Sequence, residues 1–177
     1  EKDISNGFAD SGAEVTAGDL NLTVDEGSAD SKSFTVSVAA GDTLADVRDK
    51  INNSNASDQV SASIINDGTD SHLKIQRDEK GHANGSSASQ ALTLNHNATG
   101  GSGTALTFAE QQAGKNASFT LDGQTITRQS NRINDVVDGV TFNLESTGQT
   151  DVEIAVDNKK ILDNVEKFTK AFNKVVD

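Results

Sequence analysis

Residues 18–68 read GDLNLTVDEGSADSKSFTVSVAAGDTLADVRDKINNSNASDQVSASIINDG. Leu20, Leu22 and Val24 alternate with polar neighbours, as do Phe34, Val36 and Val38, and a period of two marks half-buried strands. The period changes at Ala39-Ala40-Gly41-Asp42-Thr43-Leu44. Thr43 followed three residues later by Asp46 forms a capping box. Its hydroxyl accepts an orphan N–H of the first turn, and the carboxylate reaches back to the cap. Leu44, Val47 and Ile51 then give a short helix one apolar face, which Asn52 and Asn53 end. Val60, Ala62 and Ile64 resume the alternation, and Asn66-Asp67-Gly68 supplies a turn.

On either side the pattern is looser. Residues 1–17 carry few apolar side chains and no periodicity, and read as a lead-in. A further strand is expected at Leu73 and Ile75. Residues 78–104 are rich in Gly, Ser, Asn and Ala, with room for one short strand in ALTLN; such stretches bury too little apolar surface to offset their ordering entropy. Alternation restarts at Leu106 and Phe108. Phe119 and Leu121 precede Asp122-Gly123, the dipeptide favoured in a two-residue type I′ hairpin, and Ile126 lies in the return strand. Ile133, Val136 and Val137 suggest one helical turn with Gly139 as its left-handed cap. Val140, Phe142 and Leu144 alternate, as do Val152, Ile154 and Val156. Asp157 can cap a last helix in which Ile161, Val165, Phe168, Phe172 and Val175 repeat as a heptad seam.

The 177 residues are 33% hydrophobic, with Phe the only aromatic and no Pro, Cys, Met, Trp or Tyr. So thin a supply of apolar side chains favours two small modules over one dense core. The expected fold is mainly β with short helices (α+β): two small antiparallel β-rich, sandwich-like domains followed by the start of a C-terminal helix. The boundaries fall at a lead-in 1–17, modules 18–108 and 109–157, and the helix 158–177. Without Cys, disulfides, thiolate metal sites and cysteine catalysis are excluded. The net charge is −12, which repels phosphate backbones and anionic lipid, so neither nucleic acid nor membrane is an expected partner. No apolar run approaches the roughly 18 residues of a membrane span. The chain begins and ends in mid-pattern, as an excised piece would.

The order strand, strand, AAGDTLADVRDKIN and VSASIINDG resembles the flagellin hook IN motif. The stretch NASFTLDGQTITRQSNRINDVVDGVTFNLESTG is similar to the second half of the bacterial flagellar filament cap family, the hook-associated FliD proteins. Ser130, Asn131, Ile133, Asp135, Val136, Gly139, Val140 and Thr141 carry that likeness. DNKKILDNVEKFTKAFNKVVD resembles the start of the family's C-terminal helix, with Ala171-Phe172-Asn173 where Ala-Tyr-Asn is usual. The resemblance spans roughly residues 18–77 and 113–177. It implies a structural assembly protein, the outer head part of a cap at the distal filament tip, which forms a homo-oligomeric ring and promotes flagellin insertion and filament elongation. It also implies flagellin and the filament tip as partners, secretion through the flagellar export channel, and a first module inserted into the second, with residues 1–17 near the second module's sheet. The piece by itself is expected to be monomeric.

No catalytic constellation emerges. His72, His82 and His96 lie in or beside polar stretches, without helical or zinc-knuckle spacing. Asp25-Glu26-Gly27-Ser28-Ala29-Asp30 offers oxygen ligands but lacks the alternation of a calcium loop, and Asp67-Gly68-Thr69-Asp70 reads as another turn. Gly100-Gly101-Ser102-Gly103 has no following Lys or helix to cradle a phosphate. Six Asn-x-Ser/Thr sequons, at Asn21, Asn52, Asn55, Asn84, Asn97 and Asn116, fit chance in a chain this rich in those residues. No enzyme activity, cofactor or metal is expected. The one feature that asks for a partner is the helix seam, with Ile161, Val165, Phe168 and Phe172 as the partner-binding residues. Two other readings remain: an outer domain of a flagellin or hook–filament junction protein, and an adhesin-like extracellular β-sandwich. The second lacks the Trp or Tyr that would stack on a sugar ring.

Overall fold

A computed structural model describes residues 1–152, Leu162–Asp163, Val165–Lys170 and Phe172. The chain divides into two compact units, Glu1–Glu145 and Ser146–Asp177. Among the described residues, eleven strands, all in the first unit, run in the order β1 (Lys2–Ser5), β2 (Ala17–Val24), β3 (Lys32–Val38), β4 (Val60–Asn66), β5 (Ser71–Arg77), β6 (Leu92–Gly100), β7 (Phe108–Gln112), β8 (Ala117–Leu121), β9 (Gln124–Arg128), β10 (Arg132–Ile133) and β11 (Phe142–Asn143). The helix α1 (Leu44–Asn52) joins β3 to β4.

Two antiparallel sheets enclose the main core. One is four-stranded in the order β4-β5-β1-β7, the other three-stranded in the order β3-β2-β6. Leu20, Leu22, Val24, Val36 and Val38 face Leu73, Ile75, Val60 and Ala62, and Leu44, Val47 and Ile51 of α1 join them in one buried cluster. The α1 cap forms as expected: Thr43 Oγ1 accepts from the Asp46 N–H, while Asp46 Oδ2 accepts from the Thr43 N–H at 2.9 Å. At the last residue of the helix, the Asn52 side-chain amide donates to the Ala62 carbonyl and accepts from its N–H, at 2.9 and 2.8 Å. It thereby substitutes for a neighbouring strand on part of the edge strand β4.

Residues 1–17 are not a loose lead-in. Their first strand, β1, pairs with both β5 and β7 in the main sheet. Its inward positions are Asp3 and Ser5 and its half-exposed ones Lys2 and Ile4, so the apolar alternation that would reveal a strand is absent. Within 78–104 the strand allowed in ALTLN is present and longer than expected. Leu92–Gly100 runs the length of β2, with Asn95 and Asn97 outward, and partner pairing supplies the order that its composition does not. The expected boundary after residue 108 cuts through β7, which belongs to the four-stranded sheet.

Beyond β7 the expected hairpin is present. Asp122 and Gly123 both take positive φ, 49° and 82°, as a type I′ turn requires. Phe119 packs against Phe142 with ring centroids 5.6 Å apart, and Ile133 is buried. The helical turn expected at Ile133–Val137 is absent: Ile133 belongs to β10, which pairs with β11. Gly139 does take φ +76°, but in a tight turn closed by the Val140 N–H donating to the Val137 carbonyl. The alternation over Val140–Leu144 yields only the two-residue β11. Ile154, Val156, Asp157 and Val175 lie outside the described residues.

Candidate assembly surface

In the second unit, Leu162–Asp163, Val165–Lys170 and Phe172 are helical. Val165, Phe168 and Phe172 are 56%, 72% and 59% exposed, and Leu162 is 64% exposed. Residues spaced three and four apart share one helix face, so these four form one apolar stripe, along which the Phe168 and Phe172 rings stack at 6.4 Å. Thr169 Oγ1 donates to the Val165 carbonyl, and Lys170 reaches Glu166 at 3.3 Å. Ile161 lies outside the described residues. Leu162 is a member of the stripe that the 4-3 heptad reading passes over.

The core of the first unit contains one ion pair. Arg77 Nη1 and Nη2 donate to Asp25 Oδ1 and Oδ2 at 2.9 and 2.6 Å, and only 2% and 7% of the two side chains are exposed. Asp25 Oδ1 also accepts from the Ala83 N–H at 2.7 Å, and Arg77 donates to the Gly81 carbonyl. The stretch 25–30, whose oxygens lack the alternation of a calcium loop, puts its first carboxylate into a buried clamp. The clamp ties the end of β2, the end of β5 and residues 81–83 together. Sequence reasoning missed it because the partners are 52 positions apart.

Asp3 and Glu1 lie beside β5 and β7 on the inward side of the sheet. Asp3 sits opposite Glu110. Burial, reinforced by the Glu110 charge, pushes the Asp3 carboxyl up to about 6. Burial and the Asp3 charge push Glu1 up to about 7. Glu1 Oε1 and Oε2 and Asp3 Oδ2 have no hydrogen-bond partner among the described residues.

The three histidines occupy different environments. His72 Nδ1 is 2.9 Å from the Ser5 carbonyl and Nε2 is 3.2 Å from Asp67 Oδ2. Both neighbours are acceptors, so the pair of bonds needs both ring nitrogens protonated. The Ser5 carbonyl, followed by Asp67, raises the His72 pKa. Asp67 in turn accepts from the Asp70 and Thr69 N–H groups and is lowered to about 2. His96 Nδ1 accepts from the Leu106 N–H at 3.0 Å, and burial lowers its pKa. His82 lines a polar cleft of about 500 Å³ with Asn84, Asn116 and Arg128. Among the described residues no group of three or more His, Cys, Asp or Glu is placed to hold a metal ion, and no helix is long and apolar enough to cross a membrane.

An antiparallel β-rich body with one capped helix between its hairpins, followed in sequence by a helix with an exposed apolar stripe, defines a structural module of the flagellar hook-associated class. Residues 19–79 match the flagellin hook IN motif, and residues 114–177 match the C-terminus of flagellar hook-associated protein 2. The chain belongs to the flagellar hook-associated protein 2 family, the FliD proteins. It is 35% identical to A-type flagellar hook-associated protein 2 of Pseudomonas aeruginosa, over 96% of this chain and 39% of that protein. To the B-type protein of the same species it is 30% identical, over 91% of this chain and 37% of that protein. The chain thus spans well under half the length of these relatives. Among solved structures, the D2-D3 domains of the Serratia marcescens flagellar cap protein FliD match 84% of this chain and 82% of theirs, with a TM-score of 0.61 and 26% identity. The D1-D2-D3 domains of Escherichia coli FliD match 99% of this chain and 60% of theirs, with a TM-score of 0.74. At 24% identity, that second likeness speaks for the fold alone.

Proposed function

We propose that this chain is the outer, head part of a flagellar filament cap, a structural assembly protein and not an enzyme. In this reading the full-length protein is exported through the flagellar channel. It forms a homo-oligomeric ring at the distal filament tip, where it holds arriving flagellin and promotes its insertion. The observation that carries the proposal is the order of the two matched regions, hook IN at 19–79 and cap-protein C-terminus at 114–177. The second region separates this reading from that of a flagellin or junction protein, which shares only the first. The exposed stripe at Leu162, Val165, Phe168 and Phe172 supports a helix with an apolar face to bury.

Deletion and complementation test it. In the organism that makes this protein, loss of the full-length gene should leave short or absent filaments and release unpolymerised flagellin into the medium. The intact gene should restore filament length. Normal filaments in the deletion strain, measured by electron microscopy, would refute the cap role.

A further inference from the structure

We infer that the outward face of the β4-β5-β1-β7 sheet is a docking face for the acidic surface of a neighbouring copy of this chain. The inference rests on the self-assembly reading above and specifies its geometry. The register pairs Ile4 with Lys74 and Lys2 with Gln76, and aligns Ile65 with His72. Alternation in the strands turns these six side chains to one side, away from the buried Leu73, Ile75 and Asp3. Lys2 and Lys74 therefore stand on adjacent strands, with the half-buried Ile4 between them and Ile65, 39% exposed, on the edge strand.

Charge gives this face its direction. The chain has 27 acidic and 15 basic residues, yet no carboxylate occupies an outward position on these four strands. Asp3 and Glu110 point to the opposite side, and Asp67, in the turn at the rim, is bonded to His72. Neither lysine takes part in an ion pair among the described residues, whereas Arg48, Lys50, Arg77 and Arg128 are each bonded to an Asp. Two copies with a net charge of −12 repel in most orientations. A basic face with an apolar centre admits approach when it meets the acidic remainder of its neighbour, and electrostatic complementarity of this kind sets orientation. Two such faces repel each other, since both are basic. The contact is therefore heterologous, the type that closes into rings or extends into filaments.

The test uses the full-length protein and two double variants, Lys2→Glu with Lys74→Glu and Lys2→Arg with Lys74→Arg. Sedimentation velocity at low and high salt measures self-association, and a thermal melt checks that outward substitutions leave the fold intact. The glutamate variant should associate at least about tenfold more weakly at low salt, with the gap narrowing as salt screens the contact; the arginine variant should match the parent. Charge reversal without effect on association would overturn the docking face while leaving the cap reading in place, as would unchanged self-association with weakened flagellin binding. Full-length protein that never self-associates would overturn both. Should the glutamate pair melt early, Lys74→Gln alone decides the matter by the same salt dependence.

Discussion

Arg77 and Asp25 bear the sharpest consequence of a single substitution. Both are buried and bonded to each other through two nitrogens and two oxygens. Removing one partner leaves the other charge without compensation in the interior. Arg77→Leu should therefore cost about 3–5 kcal/mol, measured as the shift in a urea unfolding curve; a loss below about 1 kcal/mol would show that Asp25 finds another partner. Asp3 carries the opposite sense. Its carboxyl titrates near 6 in the folded chain because it is buried beside Glu110, against about 3.9 when unfolded. The folded pKa is the higher one, so the fold favours the protonated acid. That contribution is complete below about pH 4 and is lost as pH rises through 6. Asp3→Asn mimics the neutral acid and should gain on the order of 2–3 kcal/mol at pH 8 and almost nothing at pH 4. Equal gains at both values would contradict this origin. His72, also raised, acts in the same direction. His96, lowered by burial, holds its contribution above its unfolded pKa and loses it as pH falls through the depressed folded value.

Among elements, local chemistry and tertiary pairing divide the work unevenly. The capping box of α1 and the Asp122-Gly123 turn form as their residues dictate, since both are satisfied within a few positions. Gly139 keeps the left-handed backbone expected of it, but in a hydrogen-bonded turn and not at the end of a helix. A Cβ there would meet no neighbouring atom within 4 Å, so only the backbone conformation opposes a side chain. Gly139→Val should cost about 1–3 kcal/mol, whereas Gly139→Asn, which tolerates that region better, should cost clearly less. Thermal melts of the pair check this; equal losses would show that the turn, and not its φ, is at fault. The strands β1 and β6 follow the other rule. Asp3 and Ser5 inward on β1, and the outward asparagines of β6, hide the alternation, and the neighbouring strands impose the extended form.

For the whole molecule, the stripe at Val165, Phe168 and Phe172 matters most, because side chains so exposed gain stability only by packing against something else. We propose that this seam continues into helices of the full-length protein and carries its strong association, while the chain described here stays monomeric or associates weakly. In the full-length protein, Phe168→Asp with Phe172→Asp should dissociate the multimer, because each charge would enter an apolar seam. Light scattering at micromolar concentration would read the change, and an unaltered mass would refute this use of the helix. The division into modules is also a proposal, with the first extended by β1 and β7 beyond the 18–108 stretch. Limited proteolysis should cut first between Gly100 and Thr104 or just after β7; first cleavage within Phe119–Leu144 would count against it.

By itself the sequence determined the β2-β3-α1-β4-β5 core, the α1 cap and the hairpin turn. In each the signal is local: a period of two or 3.6 residues, or a side chain bonding backbone within four positions. It also carried the family likeness, through the order of those local patterns. Only the tertiary structure decided that residues 1–17 supply the centre of a sheet, that Asp25 and Arg77 meet, that Asn52 partners the edge of β4, and that β1 and β5 turn two lysines to one face. Those arrangements join residues distant in the chain, and several turn polar side chains inward. A periodicity of apolar residues cannot register a polar side chain whose partner is supplied by a strand elsewhere in the chain.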